Sequence, residues 1–243
     1  MKERLEAVTF DYWNTLVHEQ PGHMGLLRRE AWAARLGAVG VVLAGEVVDR
    51  AFEGSWARYV ERWHANVQYL GEEAAHDLLV DLGVADLEPE LHDALVDDFL
   101  SVGLRAELEL APNVADALAT LRDAGVRIGI VCDVGMTASP ILRSHLERHG
   151  ILDRFDHWSF SDEVGWYKPD RRIFEHALAG LGGIEPARAA HVGDIRRTDV
   201  AGALAMGMVA VRYSGVSDDR SDGPEGDLVC AHHADLPALL GVA

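Results

Sequence analysis

Cysteine and positive charge are scarce in this sequence. Its 243 residues include two cysteines, Cys132 and Cys230, and 22 Lys and Arg residues against 40 Asp and Glu residues, which gives a formal net charge of −18. Two cysteines inside apolar stretches do not suggest a disulfide framework and are typical of buried thiols in a reducing compartment. A protein this acidic repels nucleic acid and anionic membranes, so we expect neither as a partner.

Long apolar runs are also missing. No stretch approaches the roughly 20 residues of a membrane span, and no apolar signal segment follows Met1. Hydrophobic residues nevertheless make up 49% of the chain, so it can bury a core as one large domain or as a domain with an insertion. We therefore expect a cytoplasmic protein. Nothing in the sequence indicates its oligomeric state.

Hydrophobic periodicity divides the chain into two kinds of sequence. Residues 5–10 form a short apolar run typical of a buried strand, whereas residues 18–103 show helical spacing. From about residue 112 onward, strand-like and helical segments alternate, which predicts a parallel sheet with helices on both faces. We predict an α/β fold with a doubly wound parallel sheet built from residues 1–17 and 104–243. An all-α unit of about four helices at 18–103 is inserted after the first strand.

Four short segments deliver polar groups to one edge of this predicted sheet. They are residues 10–16, 130–133, 167–170 and 191–199. Asp11, Cys132 and Asp194 each stand at the end of an apolar, strand-like run, and ligands of doubly wound sheets bind at the carboxyl ends of the strands. The fold prediction alone therefore brings these segments together. They supply three carboxylates and one ammonium group, a combination suited to Mg²⁺-assisted chemistry on an aspartate nucleophile.

In order and residue type, these segments resemble the four motifs of the haloacid dehalogenase (HAD) superfamily, and the insertion at 18–103 resembles its helical C1-type cap. The resemblance covers nearly the whole chain. It implies a Rossmann-like core and a Mg²⁺-dependent hydrolase that acts on a small phosphorylated metabolite through an aspartyl-phosphate intermediate. It also implies a cap that closes over a small anionic substrate.

The resemblance assigns three catalytic residues. Asp11 is the expected nucleophile, because a carboxylate needs no deprotonation at neutral pH and can form an acyl phosphate. Lys168 is expected to balance the crowded carboxylates and to hold the transferred phosphoryl group. Thr15 is expected to steady the loop that carries Asp11.

The same resemblance assigns Mg²⁺ binding to Asp11, the backbone carbonyl of Trp13, Asp194 and Asp199. Mg²⁺ prefers oxygen ligands and usually keeps several waters, so a few carboxylates and a substrate oxygen suffice. We expect Asp194 to bind the ion directly and Asp199 to bind it or to hold one of its waters. Asp199 also fits as an acidic residue in the first turn of a helix.

Two positions depart from the family pattern. Trp13 stands where related phosphatases have an aspartate general acid, and an indole cannot exchange a proton in that role. Losing general acid catalysis costs roughly 10²–10⁴-fold in rate. Cys132 replaces the Ser or Thr that binds a phosphoryl oxygen. We place Cys132 and Asp133 with Lys168 at the phosphate position, although Cys132 also fits as a small buried residue.

Two other functions stay open. One is a 2-haloacid dehalogenase on the same fold, in which Asp11 attacks carbon. The aromatic residue Trp13 favours it, whereas the Asp194 and Asp199 pair disfavours it, since carbon–halogen displacement needs no divalent cation. The other is a binding protein that keeps the fold with weakened catalysis, which the substitutions at Trp13 and Cys132 favour.

Histidines and tryptophans outside the motifs are expected to have structural or surface positions and no role in the site. The 12 histidines form no zinc-binding spacing, and we expect His232 and His233 near the end of the chain to be exposed. Three tryptophans of the helical insertion are expected in its core: Trp32, Trp56 and Trp63.

Overall fold

The computed structural model describes residues 4–242. In chain order its strands are β1 (Ala7–Phe10), β2 (Val17–His18), β3 (Glu109–Leu110), β4 (Arg127–Cys132), β5 (His157–Phe160), β6 (Ala189–Gly193), β7 (Val209–Tyr213) and β8 (Leu228–Cys230). Its α-helices are α1 (His23–Ala38), α2 (Gly45–His64), α3 (Gly71–Asp81), α4 (Pro89–Ser101), α5 (Val114–Asp123), α6 (Ser139–Arg148), α7 (Ser161–Val164), α8 (Arg171–Gly180), α9 (Ala201–Met206) and α10 (Leu236–Leu239). None of the helices within residues 4–242 combines the length and apolar character needed to cross a bilayer.

These elements form two compact units. The first, which we call the α/β unit, comprises the chain up to His18, Leu108–Asp133 and the chain from Leu146 onward. The second, the helical unit, comprises Glu19–Glu107 and Val134–His145. The chain therefore leaves the α/β unit twice, once after β2 and once after β4.

A six-stranded parallel sheet forms the centre of the α/β unit, in the order β5-β4-β1-β6-β7-β8. β1 lies between β4 and β6, where Val8 pairs in register with Ile128 on one side and Ala190 on the other. Every residue of β1 and β6 is buried, as expected for parallel strands covered on both faces. Helices α5 and α8 pack against β4, the neighbour of β1 in the sheet. The predicted α/β class is confirmed: the unit is a doubly wound, Rossmann-like core with a helical insertion after its first strand.

Helices α1 to α4 make up most of the helical unit. Trp32 is buried in its core, where the indole N–H donates to the Leu95 carbonyl oxygen (2.7 Å). Trp56 is 60% exposed, so its predicted core position was wrong. The buried face of α2 carries the small residues Ala51 and Ser55. Trp56 follows Ser55 by one position and therefore lies about 100° further around the helix, away from that face.

A buried arginine ties the segment Val134–His145 to the helices of its unit. Arg28 of α1 donates to the carbonyl oxygens of Phe99 (3.3 Å) and Met136 (3.0 Å). It also donates to Thr137 Oγ1 (3.1 Å). Burial lowers the pKa of Arg28 to about 10, which leaves the guanidinium charged at neutral pH. These hydrogen bonds from one cation hold the chain after β4 within the helical unit.

The chain after β8 turns back into the α/β unit. His233 is fully buried, so the prediction of its exposure was wrong, whereas His232 is exposed. The His233 ring stacks on Tyr213 with 4.1 Å between centroids, and its Nε2 donates to the Thr15 carbonyl oxygen (2.7 Å). Burial lowers the pKa of His233 from 6.5 to about 4. The imidazole is therefore neutral in the folded protein at neutral pH.

We predict that His233 makes the protein less stable in mild acid. The unfolded histidine, with a pKa near 6.5, takes up a proton that the folded residue, with a pKa of about 4, does not. Acid therefore favours unfolding over this interval. From about pH 7 to about pH 5, the wild type should lose about 2 kcal/mol more unfolding free energy than His233→Phe, which keeps a ring but cannot titrate. Urea unfolding at both pH values measures the difference, and equal losses would contradict it.

Candidate active site

Asp11, Asp194 and Asp199 meet at the carboxyl end of the sheet. Asp11 directly follows β1 and Asp194 directly follows β6, its neighbour in the sheet. Asp199 lies in the π-helical turn Arg196–Val200, which leads into α9. One carboxylate oxygen of each residue lies within 4.8 Å of the other two, and all three residues are buried. The chain thus brings the acidic residues of two distant segments to one place, while their functional roles stay a prediction.

A buried ammonium group lies among these carboxylates. Lys168 is 2% exposed, and its Nζ lies 2.5 Å from Asp11 Oδ1 and 2.6 Å from Asp199 Oδ1. The Lys168 backbone N–H donates to Asp133 Oδ1 (2.8 Å). Asp133 therefore fixes the segment that carries the ammonium, a contact that the sequence did not indicate. Its predicted place beside the phosphate stays a prediction.

Donors hold both oxygen atoms of the Asp199 carboxylate. Oδ2 accepts a hydrogen bond from the Ile195 backbone N–H (2.9 Å), whereas Oδ1 accepts from Lys168 Nζ and from His191 Nε2 (3.1 Å). Gly193 permits this arrangement, because a Cβ atom there would lie 2.3 Å from Asp199 Cγ. The glycine that ends β6 is therefore required by the close approach of a side chain.

His191 is a residue of this site that the sequence motifs did not single out. It lies in β6, is 1% exposed, and its ring is edge-on to Phe174 with 5.1 Å between centroids. Its Nδ1 lies 2.9 Å from Thr9 Oγ1 in the adjacent strand β1. Burial, opposed by the nearby Asp199 carboxylate, lowers the pKa of His191. The available signal was a histidine inside an apolar strand, two residues before Gly193 and hence on the same face.

Burial and repulsion set the ionisation of the carboxyl groups. Burial raises the pKa of Asp11 to about 7 against the attraction of Lys168. Burial, followed by repulsion from Asp11 and Asp199, raises the pKa of Asp194 well above its ordinary value. Burial acts on Asp199 as well, but attraction by Lys168 and His191 holds its pKa well below the ordinary value. Asp11 and Asp194 are therefore the carboxylates whose negative charge is least compensated.

The acidic group suits a divalent cation. When all three carboxyl groups are ionised, they and the one ammonium have a formal charge of −2, which a divalent cation would balance. The atoms that could coordinate the cation are carboxylate oxygens, the ligand type that Mg²⁺ prefers. Asp194 accepts a hydrogen bond from the Asn14 side chain (3.3 Å), and Asn14 has a left-handed backbone (φ 55°) that asparagine tolerates better than most residues. Asn14 is a further site residue that the sequence motifs did not single out.

Trp13 and Thr15 lie in the loop that follows Asp11. Trp13 is half-buried, and its ring is edge-on to Tyr12 with 5.2 Å between centroids. Thr15 is fully buried, and its carbonyl oxygen accepts the hydrogen bond from His233. The roles expected for the Trp13 carbonyl and for the Thr15 hydroxyl stay predictions.

Cys132 is a buried thiol at the end of β4. Its Sγ lies 3.5 Å from the Asp133 carbonyl oxygen. Burial, with repulsion from Asp11, raises the pKa of the Cys132 thiol well above its ordinary value. A neutral thiol is a weak hydrogen-bond donor and a poor nucleophile. This environment fits the interpretation of Cys132 as a small buried residue.

Known proteins resemble this chain in sequence and in structure. A glyceraldehyde 3-phosphate phosphatase from Methanothermobacter thermautotrophicus is 39% identical over 100 residues, which cover 41% of this chain and 42% of that protein. An (S)-2-haloacid dehalogenase from Pseudomonas sp. (strain YL) is 29% identical over 182 residues, which cover 73% of this chain and 70% of that protein. The crystal structure of a HAD phosphatase from Thermococcus onnurineus superposes with a TM-score of 0.66, at 25% identity and 98% coverage of both chains.

The alignment with the phosphatase spans less than half of that protein's length, so it does not establish the activity or the substrate of this chain. The family model for haloacid dehalogenase-like hydrolases, in contrast, matches residues 5–207, a stretch that includes all four polar segments of the site. The match agrees with the Rossmann-like sheet and with the acidic group at its carboxyl end. This chain therefore belongs to the haloacid dehalogenase-like hydrolase family.

Proposed function

We propose that this hydrolase is a Mg²⁺-dependent phosphatase of small phosphorylated metabolites, with Asp11 as its nucleophile. The observation that carries the proposal is the placement of the Lys168 ammonium against both Asp11 and Asp199, beside Asp194. The ammonium, together with a divalent cation held by the carboxylates, would neutralise charge near Asp11 and so let it approach an anionic phosphoryl group. Relatives named as phosphatases support the same reaction class.

The reaction proceeds in two displacements at phosphorus. An oxygen of Asp11 bonds to phosphorus while the bond to the leaving oxygen breaks, which gives an aspartyl phosphate. Water then attacks that phosphorus and the acyl phosphate bond breaks. The protons of the water leave with the phosphate, and the Asp11 carboxylate is restored. Lys168 stabilises the negative charge on the phosphoryl oxygens in both steps.

Asp11, Asp194, Asp199 and the main-chain carbonyl of Trp13 would hold the Mg²⁺. The ion would supply charge neutralisation between the nucleophile and the phosphoryl group. Cys132 and Asp133 are proposed to lie near the phosphoryl oxygens with Lys168. Thr15 is proposed to steady the loop that carries Asp11.

Substrate choice depends on two further proposals. The helical unit acts as a cap over a small anionic substrate and sets specificity. Trp13 supplies no proton to the leaving group. The favoured substrates therefore have leaving groups that depart without protonation, such as aryl or acyl phosphates, or carry their own acid. We also propose a cytoplasmic location, with neither nucleic acid nor a membrane as a partner.

Dehalogenation is the second candidate function. Trp13, an aromatic residue beside the nucleophile, and the relative named (S)-2-haloacid dehalogenase favour it. The buried acidic group disfavours it, because displacement of halide from carbon needs no divalent cation. Halide release from a 2-haloacid without Mg²⁺, together with inactivity on phosphate esters, would select it. A phosphate mimic that binds without any turnover would instead indicate a binding protein.

Asp11→Asn should abolish phosphatase activity. The amide keeps the size of the carboxylate but is a very weak nucleophile, so kcat on a small aryl phosphate should fall roughly 10³-fold or more. A colorimetric assay with Mg²⁺ measures the loss, and circular dichroism checks the fold. Asp222→Asn, at an exposed position, is the matched control and should keep wild-type activity. Activity retained in Asp11→Asn would rule out this nucleophile.

Asp194→Asn should have opposite effects on stability with and without Mg²⁺. Without the ion, removing a buried, repelled carboxylate should raise Tm by about 2–5 °C. With Mg²⁺ at about 100 times its Kd, the wild type should gain about 2.7 kcal/mol, and the variant should gain little. Thermal unfolding with EDTA and with Mg²⁺ measures both effects. Equal Mg²⁺ stabilisation of the two proteins would place the ion elsewhere.

Trp13→Asp should extend the range of substrates. The new carboxyl group can protonate a poor leaving group, so kcat on an alkyl phosphate should rise about 10-fold or more, while that on an aryl phosphate changes less than about 3-fold. Trp13→Asn is the matched control, because it opens the same space without an acid. Equal gains in both variants would show that the indole acts by blocking the site.

A further inference from the structure

The histidine of β6 makes contacts that its location alone does not require. His191 is paired in register with Thr9 of β1, and its two ring nitrogens face different groups. Nδ1 lies 2.9 Å from Thr9 Oγ1, and Nε2 lies 3.1 Å from Asp199 Oδ1. A neutral imidazole has one donor and one acceptor nitrogen, and both are partnered here. The two partners lie in different places, so this imidazole connects the sheet with the carboxylate that contacts Lys168.

The chemistry of the partners fixes the direction of these hydrogen bonds. An ionised carboxylate only accepts, so the proton lies on His191 Nε2. Nδ1 of the neutral ring accepts from the Thr9 hydroxyl at 2.9 Å, and the Ala190 carbonyl oxygen, the other acceptor near that hydroxyl, lies further away at 3.3 Å. The order of donation is therefore Thr9 to His191 to Asp199, with Lys168 donating to the same Asp199 oxygen (2.6 Å). Ring orientation is further restrained by the edge-on contact with Phe174.

We propose that His191 is a positioning residue, which orients the Asp199 carboxylate and through it holds Lys168 beside Asp11. The catalytic part of this inference rests on the proposed function of Lys168 and Asp11. Asp199 Oδ2 is tied to the Ile195 N–H (2.9 Å), so its other oxygen is free to move unless a second donor fixes it. His191 is the donor that comes from the rigid sheet, whereas Lys168 comes from a loop. Charge-assisted hydrogen bonds of this kind are stronger than neutral ones, and outer-sphere partners of this kind commonly tune a site by 10–100-fold.

The chain offers a matched pair of substitutions. In His191→Gln the amide N–H₂ can reach the place of Nε2 and donate to Asp199. In His191→Asn it reaches only the place of Nδ1 and faces Thr9. His191→Asn should lower kcat on an aryl phosphate about 10–100-fold with KM changed less than about 2-fold, and His191→Gln should stay within about 3-fold of wild type. Rescue by Gln separates positioning from a loss of stability, which both variants share.

NMR of the lysine ammonium groups tests the proposal without measuring catalysis. The chain has two lysines, Lys2 and Lys168, so the spectrum is simple to assign. With ¹⁵N-lysine labelling, the Nζ resonances are assigned by comparison with Lys2→Arg. The Lys168 resonance should shift in His191→Asn and stay near its wild-type position in His191→Gln. With ¹⁵N-histidine labelling, the His191 resonances, identified by their loss in His191→Gln, should show a protonated Nε2 and an unprotonated Nδ1.

Thr9→Val provides a second variant if His191→Asn does not fold, since valine suits a buried strand and removes only the hydroxyl. It should shift the same Lys168 resonance, and Thr9→Ser should not. A Lys168 resonance that moves in none of the folded variants, a proton on Nδ1, or wild-type kcat in His191→Asn would each overturn the proposal.

Failure of the proposed function has a different signature. The wild type would hydrolyse no phosphate ester, while the resonances of Lys168 and His191 would still report the contact.

Discussion

The buried ammonium of Lys168 is the interaction on which the rest of the site depends. Nζ contacts Asp11 and Asp199 in a space where an isolated carboxylate would be neutral. Burial alone would lower the pKa of Lys168, but these carboxylates raise it well above its ordinary value, so the charge persists. The contact with Asp11 joins two segments that are 157 positions apart in the chain, whereas Asp199 lies 31 positions from Lys168. One ion pair therefore fixes the relative placement of the loops after β1 and before α8.

The surroundings of Asp199 follow from the need to hold that cation. A carboxylate can fix an ammonium only if it is itself fixed, and the chain supplies the Ile195 N–H and the His191 ring for this purpose. Both depend on Gly193, since any larger residue would displace the Asp199 side chain. The Gly-Asp pair at the end of β6 thus has two separate functions. The glycine makes room for Asp199, and the aspartate that follows it extends the acidic group.

Local sequence pattern was sufficient for the sheet and for the acidic residues. Apolar runs that stop at Asp11 and Asp194 mark the ends of strands. Because the carboxyl ends of parallel strands lie at one edge of the sheet, the sequence alone predicts that these two carboxylates lie close together. His191 could not be assigned in this way, because its partner Thr9 is set by the pairing of two strands that lie 182 residues apart in the chain. The same holds for His233, whose burial depends on where the chain returns after β8. The predicted core position of Trp56 was wrong for another reason. Apolar spacing indicates which face of a helix is hydrophobic, but the neighbouring helices determine how much of that face is covered.

The two departures from the family pattern affect different parts of the reaction. In the proposed reaction, attack on phosphorus requires the carboxylate of Asp11, a cation beside it and compensation of the remaining charge, and the contact of Lys168 with Asp11 and Asp199 supports the first two requirements. Departure of the leaving group requires a proton, and position 13 supplies an indole instead of a carboxyl. Because the first requirement is electrostatic and the second is a proton transfer, loss of one leaves the other intact. Under the proposed function, the indole of Trp13 would therefore narrow the range of leaving groups without removing the capacity of Asp11 for nucleophilic attack.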